Sequence, residues 1–362
     1  MSNRFAFIVH PVHRGSVLRR LKLMRKLPLP ILEAVIRRTP PARCTPETEV
    51  AGLHSQALGC IITANSDLNG VVRLSAPQIA KKLLRAGRLA EKLGMRIVGL
   101  DSGLVEPGAV DLFLARHLRL AVTSGMSYTV ATVLEGCLQA ISLIGPDLEE
   151  AEVLVFGAAV SAGNILAQLL AREGVNYLTL VEGDRHRLEN LTRRIMHDSG
   201  VACKTTLQAR KAAGRADLIL IAANDAVPAQ IKVDDLKPGA IVCDLGRPRF
   251  FTAGEVCLRS DIFFFDGAAV ELPGGTKRIW SDELPPGLVS AGLAETAILA
   301  LEGRFENFSL GPELRVGKVE EIRRLGRKHG FKTAGLHYRG QMVHPAVFTG
   351  KKNISLLLDN AR

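Results

Sequence analysis

The chain has 362 residues, 47% hydrophobic and 23% charged, a balance typical of globular proteins with ample core-forming mass. Its length exceeds the roughly 100–200 residues of one ordinary domain, so two domains are expected. No uncharged apolar run approaches the roughly 18 residues of a spanning helix, and no signal-peptide core opens the chain, so a cytoplasmic location is expected.

Six cysteines (44, 60, 137, 203, 243 and 257) show no CxxC spacing, which fits reduced thiols. The net charge is +11 and unevenly placed: residues 1–43 hold ten Lys and Arg, Arg19, Arg20 and Arg25 among them, against Glu33 alone. Residues 17–27 (VLRRLKLMRKL) alternate cations with apolar residues at approximately helical spacing. Such a face suits an acidic carrier protein, a phosphorylated acyl carrier or an anionic membrane surface; it equally suits a solvated helix packed on the body of the protein. Nucleic acid is not expected as a partner, because aromatic residues are 5% of the chain and no familiar binding module occurs.

In chain order, residues 5–9 read as a buried strand, and residues 40–46 as a Pro-rich break. Residues 57–64 read as a strand, 76–93 as an amphipathic helix, and 96–100 and 118–123 as strands. A helix follows over 128–144. This half is α/β. After a linker at 146–150, strands are expected at 152–157, 176–182, 216–223, 240–245 and 261–266. Helices are expected at 161–172 and 185–197. The alternation predicts a Rossmann-type, doubly wound dinucleotide-binding domain. Beyond it, helices are expected from 286 to 301 and over 316–328, the latter stopped at Gly330.

Between the predicted strand and helix lies Gly157-Ala158-Ala159-Val160-Ser161-Ala162-Gly163, where a pyrophosphate would meet helix-terminal N–H groups. Gly157 suits a tight turn and Gly163 close helix–strand packing. The middle glycine of such loops is Val160 here, which leaves open a site closed by that side chain. Glu182 ends the next strand about 20 residues on, where a carboxylate accepts from ribose hydroxyls and favours NADH over NADPH. Asn224 follows a later strand. Arg247 and Arg249 either hold phosphate or carboxylate, or one of them pairs with Asp244 to fix its loop.

Residues 294–311 (AETAILALEGRFENFSLG) and 328–331 (KHGF) resemble the C-terminal signature of the aldehyde-forming fatty acyl–acyl-carrier-protein reductases of cyanobacteria and anaerobic bacteria. Weaker resemblance reaches from Phe5 to about Gly335 and is least specific before Ser75. It implies a shikimate-dehydrogenase-like architecture: an N-terminal α/β domain at 1–145, a dinucleotide domain at 146–284, and C-terminal helices at 285–362 packing back across the cleft. It also implies NADPH, acyl carrier protein or acyl-CoA as partners, and a cysteine that takes the acyl group. Aligned without gaps, that cysteine falls on Gly292. The substitutes are Ser290, which has no adjacent base in sequence, and Cys243, a strand-end thiol. The family's T-T-G-N reads Thr123-Ser124-Gly125-Met126 here, while Tyr128 and Thr129 fit relatives reading S-Y-T. Its G-A-T-G-x-I-G loop is the one altered at Val160. Gly183 stands where cyanobacterial members have an arginine, with Arg185 and Arg187 nearby.

The substrate-cleft candidates are therefore Ser124, Met126, Tyr128, Arg247 and Gly292. Glu295 and Glu302, seven apart, are read as interdomain hydrogen-bond groups or acid–base groups. His329 is read as a structural residue of a last helical turn. His10 and His13 have HxxH spacing without a nearby acid, so no metal is expected. The expectation is an NAD(P)-dependent oxidoreductase for acyl or other carbonyl substrates without a covalent cysteine. The alternative is a non-catalytic cofactor- or acyl-binding protein, or a partner subunit of an active paralogue.

Overall fold

The computed structural model describes residues 3–9, 31, 34, 37–64, 74–101, 109–222, 231–246, 249–275, 284–285, 287–312, 314–338 and 341–343. The predicted helix at 17–27, the HxxH pair, Asn224 and Arg247 lie outside them. The chain forms two compact units: residues 1–129, 270–314 and 318–332, and residues 130–269, 315–317 and 333–362.

The first unit is built on a six-stranded sheet. Its strands are β1 (Arg4–Val9), β2 (Ala42–Arg43), β3 (Thr48–Ala51), β4 (Gln56–Thr63), β5 (Ile97–Leu100) and β6 (Ala121–Thr123). Their order is β2-β4-β1-β5-β6, with β3 antiparallel on β4. The four strands β4, β1, β5 and β6 run parallel, with Phe7 opposite both Ile61 and Gly99. The period of two sorts β1 between two layers. Ala6 and Ile8 join a core with Leu83, Ala86, Ala90 and Leu114 of helices α1 (Ala76–Lys92) and α2 (Val110–His117). Phe5 and Phe7 point to the other face, and each such fully buried ring contributes roughly 1.5–3 kcal/mol. The short helix α2 has no counterpart among the predicted elements. It has two turns and an alanine N-cap, so it carries no polar start signal.

Helix α3 (Met126–Ile144) begins in the first unit and continues from Val130 in the second. Among the described residues it is the one helix long and apolar enough to cross a membrane, and most of that stretch is buried inside the protein.

The second unit carries β7 (Glu152–Phe156), β8 (Tyr177–Val181), β9 (Lys204–Thr205), β10 (Leu218–Ile221), β11 (Ile241–Asp244) and β12 (Phe263–Phe265). Helices α4 (Ser161–Arg172), α5 (Arg185–Ser199), α6 (Ala209–Ala213) and α7 (Ala253–Cys257) lie between them in sequence. All pairings are parallel and the order is β12-β11-β10-β7-β8-β9. Counted from its first strand this is 3-2-1-4-5-6, the doubly wound order expected from the alternation. The fold class is α/β. The order reverses between β7 and β10, which places the switch point beside the turn that follows β7.

The single helix expected from 286 to 301 is instead a short strand, Leu288–Ser290, followed by α8 (Ala291–Leu301). Ser290 is extended, and its hydroxyl accepts the Leu293 N–H at 3.4 Å, so it caps the helix rather than continuing it. Every residue of α8 is buried, matching a sequence apolar on all sides. A further helix, α9 (Val316–Lys328), ends before Gly330, which takes the left-handed conformation at φ +83°.

Candidate functional site

In the second unit, β7 enters its turn at Gly157, where φ is +75°. The turn closes with the Val160 N–H on the Gly157 carbonyl at 3.1 Å, and α4 starts at Ser161. A Cβ on Gly163 would stand 2.1 Å from the Gly157 carbonyl oxygen, so only glycine permits this helix–strand approach. Helix geometry leaves the first-turn N–H groups, at Ser161, Ala162 and Gly163, without intrahelical acceptors, and they face negative charge favourably. Val160 is the N-cap at φ −81° and ψ 157°, an ordinary extended conformation. The position therefore does not need glycine for backbone freedom. What the valine changes is how closely a ligand reaches the backbone. Ala158 is fully buried beneath the turn.

Glu182 follows β8 and is half-buried, its Oε1 accepting the Gly183 N–H at 2.7 Å. Asp184 caps α5 by accepting the Arg187 N–H at 3.1 Å. Arg185 pairs with Glu189 at 3.1 Å and Arg187 with Asp184 at 3.2 Å. These exposed pairs are worth about 0–1 kcal/mol and yield readily to a competing anion.

At the end of β11, the Asp244 carboxylate accepts the N–H groups of Gly246 at 2.8 Å and Phe250 at 2.7 Å. Burial raises its pKa, against the opposing charge of Arg249 and these bonds. Arg249 pairs with Asp266 at 2.9 Å and donates to the Asp244 main-chain carbonyl. The loop is thus fixed mainly by Asp244 holding backbone N–H groups, while Arg249 is shared between a carbonyl and Asp266. Cys243 is fully buried, and burial, reinforced by the adjacent Cys137 thiol, pushes its pKa well above the ordinary range. Burial likewise lifts Cys60 and Cys203 to about 11. These groups stay thiols near neutral pH, the form that is a poor nucleophile.

The first unit brings together a different set. Glu295, fully buried on α8, accepts the Thr123 hydroxyl at Oε1 and the Tyr128 N–H at Oε2, the latter at 2.7 Å. The Ser309 hydroxyl and the Gly125 N–H lie near enough to favour its charge, while the Gly125 N–H itself bonds the Thr123 hydroxyl oxygen at 3.3 Å. Burial raises its pKa although these donors favour the charged form. Ser309, the one non-glycine residue at positive φ (52°) among the described residues, donates its hydroxyl to Ser127 at 2.6 Å. Its carbonyl accepts the Ser124 hydroxyl. Both Ser124 and Tyr128 are therefore engaged in fixing the start of α3, and Met126, half-buried, is its first residue. Thr123, Ser127 and Ser309 were not among the candidates. Only the small-residue turn hinted at them, because Ser309 lies far away in sequence.

Gly292 sits one turn before Glu295. A Cβ on Gly125 would stand 2.3 Å from the Gly292 Cα, so the two glycines meet backbone to backbone. A Cβ on Gly292 itself would meet only the Phe7 ring at 3.5 Å and the Leu100 carbonyl at 3.6 Å, ordinary contacts. The position is buried but not filled against a side chain. Ser290, as the α8 cap, has its oxygen committed to a backbone N–H.

Glu302 accepts from Lys328 at 2.7 Å and meets His329 Nε2 at 2.5 Å. Burial opposes its charge, yet these bonds win and hold its carboxyl below the usual range. The partners described for Glu295 and Glu302 lie within the first unit. His329 is buried immediately after α9 rather than in its last turn. Among the described residues no three His, Cys, Asp or Glu side chains gather as a metal site.

No family model matches the chain. It is 27% identical over 256 residues to the aminotransferase PigE of Serratia sp. (strain ATCC 39006), a match covering 69% of this chain and 29% of that protein. It is 26% identical over 273 residues to the long-chain acyl-[acyl-carrier-protein] reductase of Synechococcus elongatus, covering 71% of this chain and 76% of the reductase. The chain thus spans less than a third of the first relative's length. Among solved structures it is similar to quinate dehydrogenase from Corynebacterium glutamicum in complex with NAD, at 15% identity and a TM-score of 0.38. That match covers 90% of this chain and 98% of the dehydrogenase. The fold assignment rests on the strand order of the second unit.

Proposed function

We propose that the chain is an NAD(P)H-dependent oxidoreductase for acyl thioesters, aldehydes or other carbonyl compounds, working without an acyl-cysteine intermediate. The observation that carries this reading is the turn at the switch point of the second unit, where Gly157 turns at positive φ and Gly163 lets α4 pack against it, so that α4 begins at the carboxyl end of β7. Gly157, Ala158, Ser161, Ala162 and Gly163 would hold the pyrophosphate of a dinucleotide, with Glu182 and Asn224 on its flanks. When bound, the nicotinamide supplies a hydride. The carboxylate of Glu182 favours NADH, while Arg185 and Arg187 keep NADPH open as the alternative. The likeness to the Synechococcus reductase supports an acyl or aldehyde substrate. The basic N-terminal segment would then meet acyl carrier protein, acyl-CoA or an anionic membrane surface, in the cytoplasm. Titration calorimetry with NADH and NADPH tests the cofactor, and heat with neither overturns it. Oxidation of either cofactor with long-chain acyl carrier protein, acyl-CoA or fatty aldehyde tests the reaction.

A second reading is favoured by one specific observation. Gly292 lacks a side chain, Ser290 caps α8, and Cys243 is buried as a thiol, so none of the three serves as an acyl acceptor. A cofactor- or acyl-binding partner of an active paralogue fits that set. Heat with a dinucleotide but no turnover with any substrate would select it.

A further inference from the structure

The first unit carries a row of cations on α1, distinct in sequence from those of residues 1–43. On α1, Leu83, Ala86 and Ala90 are buried in the core, while Lys81, Arg85, Arg88 and Lys92 are exposed. Their spacing of i, i+4, i+7 and i+11 places them within an arc of about 60° over about 16 Å of helix. Exposed arginines elsewhere find acids, as Arg185 does with Glu189 and Arg210 with Asp235. Among the described residues these four find none. Glu91, the one acid of α1, is half-buried and accepts the Arg119 N–H at 2.5 Å. That bond brings Arg119, exposed just beyond α2, toward the same end of the row. Like charges three and four residues apart work against a helix, and only Lys92, in the last turn, is favoured by the helix dipole.

We infer that this row on α1 is a docking surface for an acidic helix of a partner protein. A helix carrying carboxylates at i, i+4, i+7 and i+11 repeats the same rise, so four charges meet four in one register. An anionic membrane would use apolar side chains beside the cations. The large exposed apolar residues of the described structure, such as Leu53, Tyr177, Leu207 and Leu258, all lie off α1 and α2. A single-stranded polynucleotide would use aromatic side chains for stacking beside the cations. The row has no aromatic residue. Residues 1–43 and 351–362 are themselves basic, so neither terminal segment complements the row. The inference does not depend on the oxidoreductase reading.

The test is fluorescence anisotropy of the full chain at about 50 mM salt, where screening is weak. One labelled helical peptide carries Glu at positions 1, 5, 8 and 12, and an isomer of identical composition has its Glu residues dispersed. The aligned peptide should bind about tenfold more tightly than the isomer. The variant K81E/R85E/R88E/K92E should lose that binding and gain binding to a matching Lys-faced peptide. The neutral variant K81Q/R85Q/R88Q/K92Q should lose binding at an equal or higher melting temperature, which separates docking from folding. Equal binding of the two isomers overturns the proposal. So does binding to phosphatidylglycerol vesicles or duplex DNA that the quadruple variants abolish while leaving the peptide unaffected. Self-association lost in both variants, with no peptide binding, likewise overturns it in favour of a second copy of the chain.

Discussion

The two units use the same local device, a strand running through a small-residue turn into a helix, and finish it in opposite ways. At the start of α3 the chain brings its own carboxylate, Glu295, to the Tyr128 N–H and the Thr123 hydroxyl. After β7 the device is finished with glycines: Gly157 and Gly163 bring the turn and helix into backbone contact. An internal acid satisfies a helix N-terminus permanently, whereas a glycine-lined one is built to receive an anion from outside. The first arrangement serves stability, and the second supports a ligand site.

Removing the internal acid should have the largest effect. Glu295→Leu leaves the Thr123 hydroxyl and the Tyr128 N–H without their acceptor. We expect a loss of about 2–5 kcal/mol in urea unfolding, since each buried unsatisfied group costs about 1–3 kcal/mol. A loss below about 1 kcal/mol would show that the carboxylate is not the organising group. At the other turn, Gly163→Ala forces a Cβ against the Gly157 carbonyl. It should cost about 1–3 kcal/mol and abolish dinucleotide heat in the same calorimeter that measures the parent chain. Retained binding in Gly163→Ala would separate the turn from the proposed site.

Lys82 gives a pH test within the first unit. Burial, aided by the charge of Arg85, lowers its pKa from 10.5 to about 8 while its ammonium donates to the Thr39 carbonyl at 2.9 Å. Between those values the unfolded chain binds more protons than the folded one, so this residue makes stability rise with pH. The parent should gain of order 1–3 kcal/mol across that interval relative to Lys82→Met, and parallel pH profiles would refute the shift. The smallest structural effect is expected for Gly292→Cys, whose Cβ meets only ordinary contacts. Stability should change by less than about 1 kcal/mol. Aldehyde formation from acyl thioesters by this variant would show that an acyl site persists beside Gly292. No aldehyde, with the fold intact, would favour the binding-protein reading.

Much of the framework was legible in the sequence because strands and helices declare themselves by periodicity. The alternation from 152 to 266 implied the doubly wound sheet, and Gly157 and Gly163 marked its switch-point turn. Where local signals compete, the reading failed: Pro286 suggested an early helix start, but the Ser290 hydroxyl sets it at Ala291. Short α2 was invisible for lack of a cap.

By itself the sequence determined the α/β class, the position of the glycine turn, the basic excess and the lack of a side chain at Gly292. Only tertiary structure decided what the polar residues do. It gathered Thr123, Tyr128, Glu295 and Ser309 around one buried carboxylate, set Gly125 against Gly292, and left four cations of α1 without an acid. Periodicity is written in neighbouring residues, whereas a hydrogen-bond partner is chosen by packing across more than a hundred residues of chain.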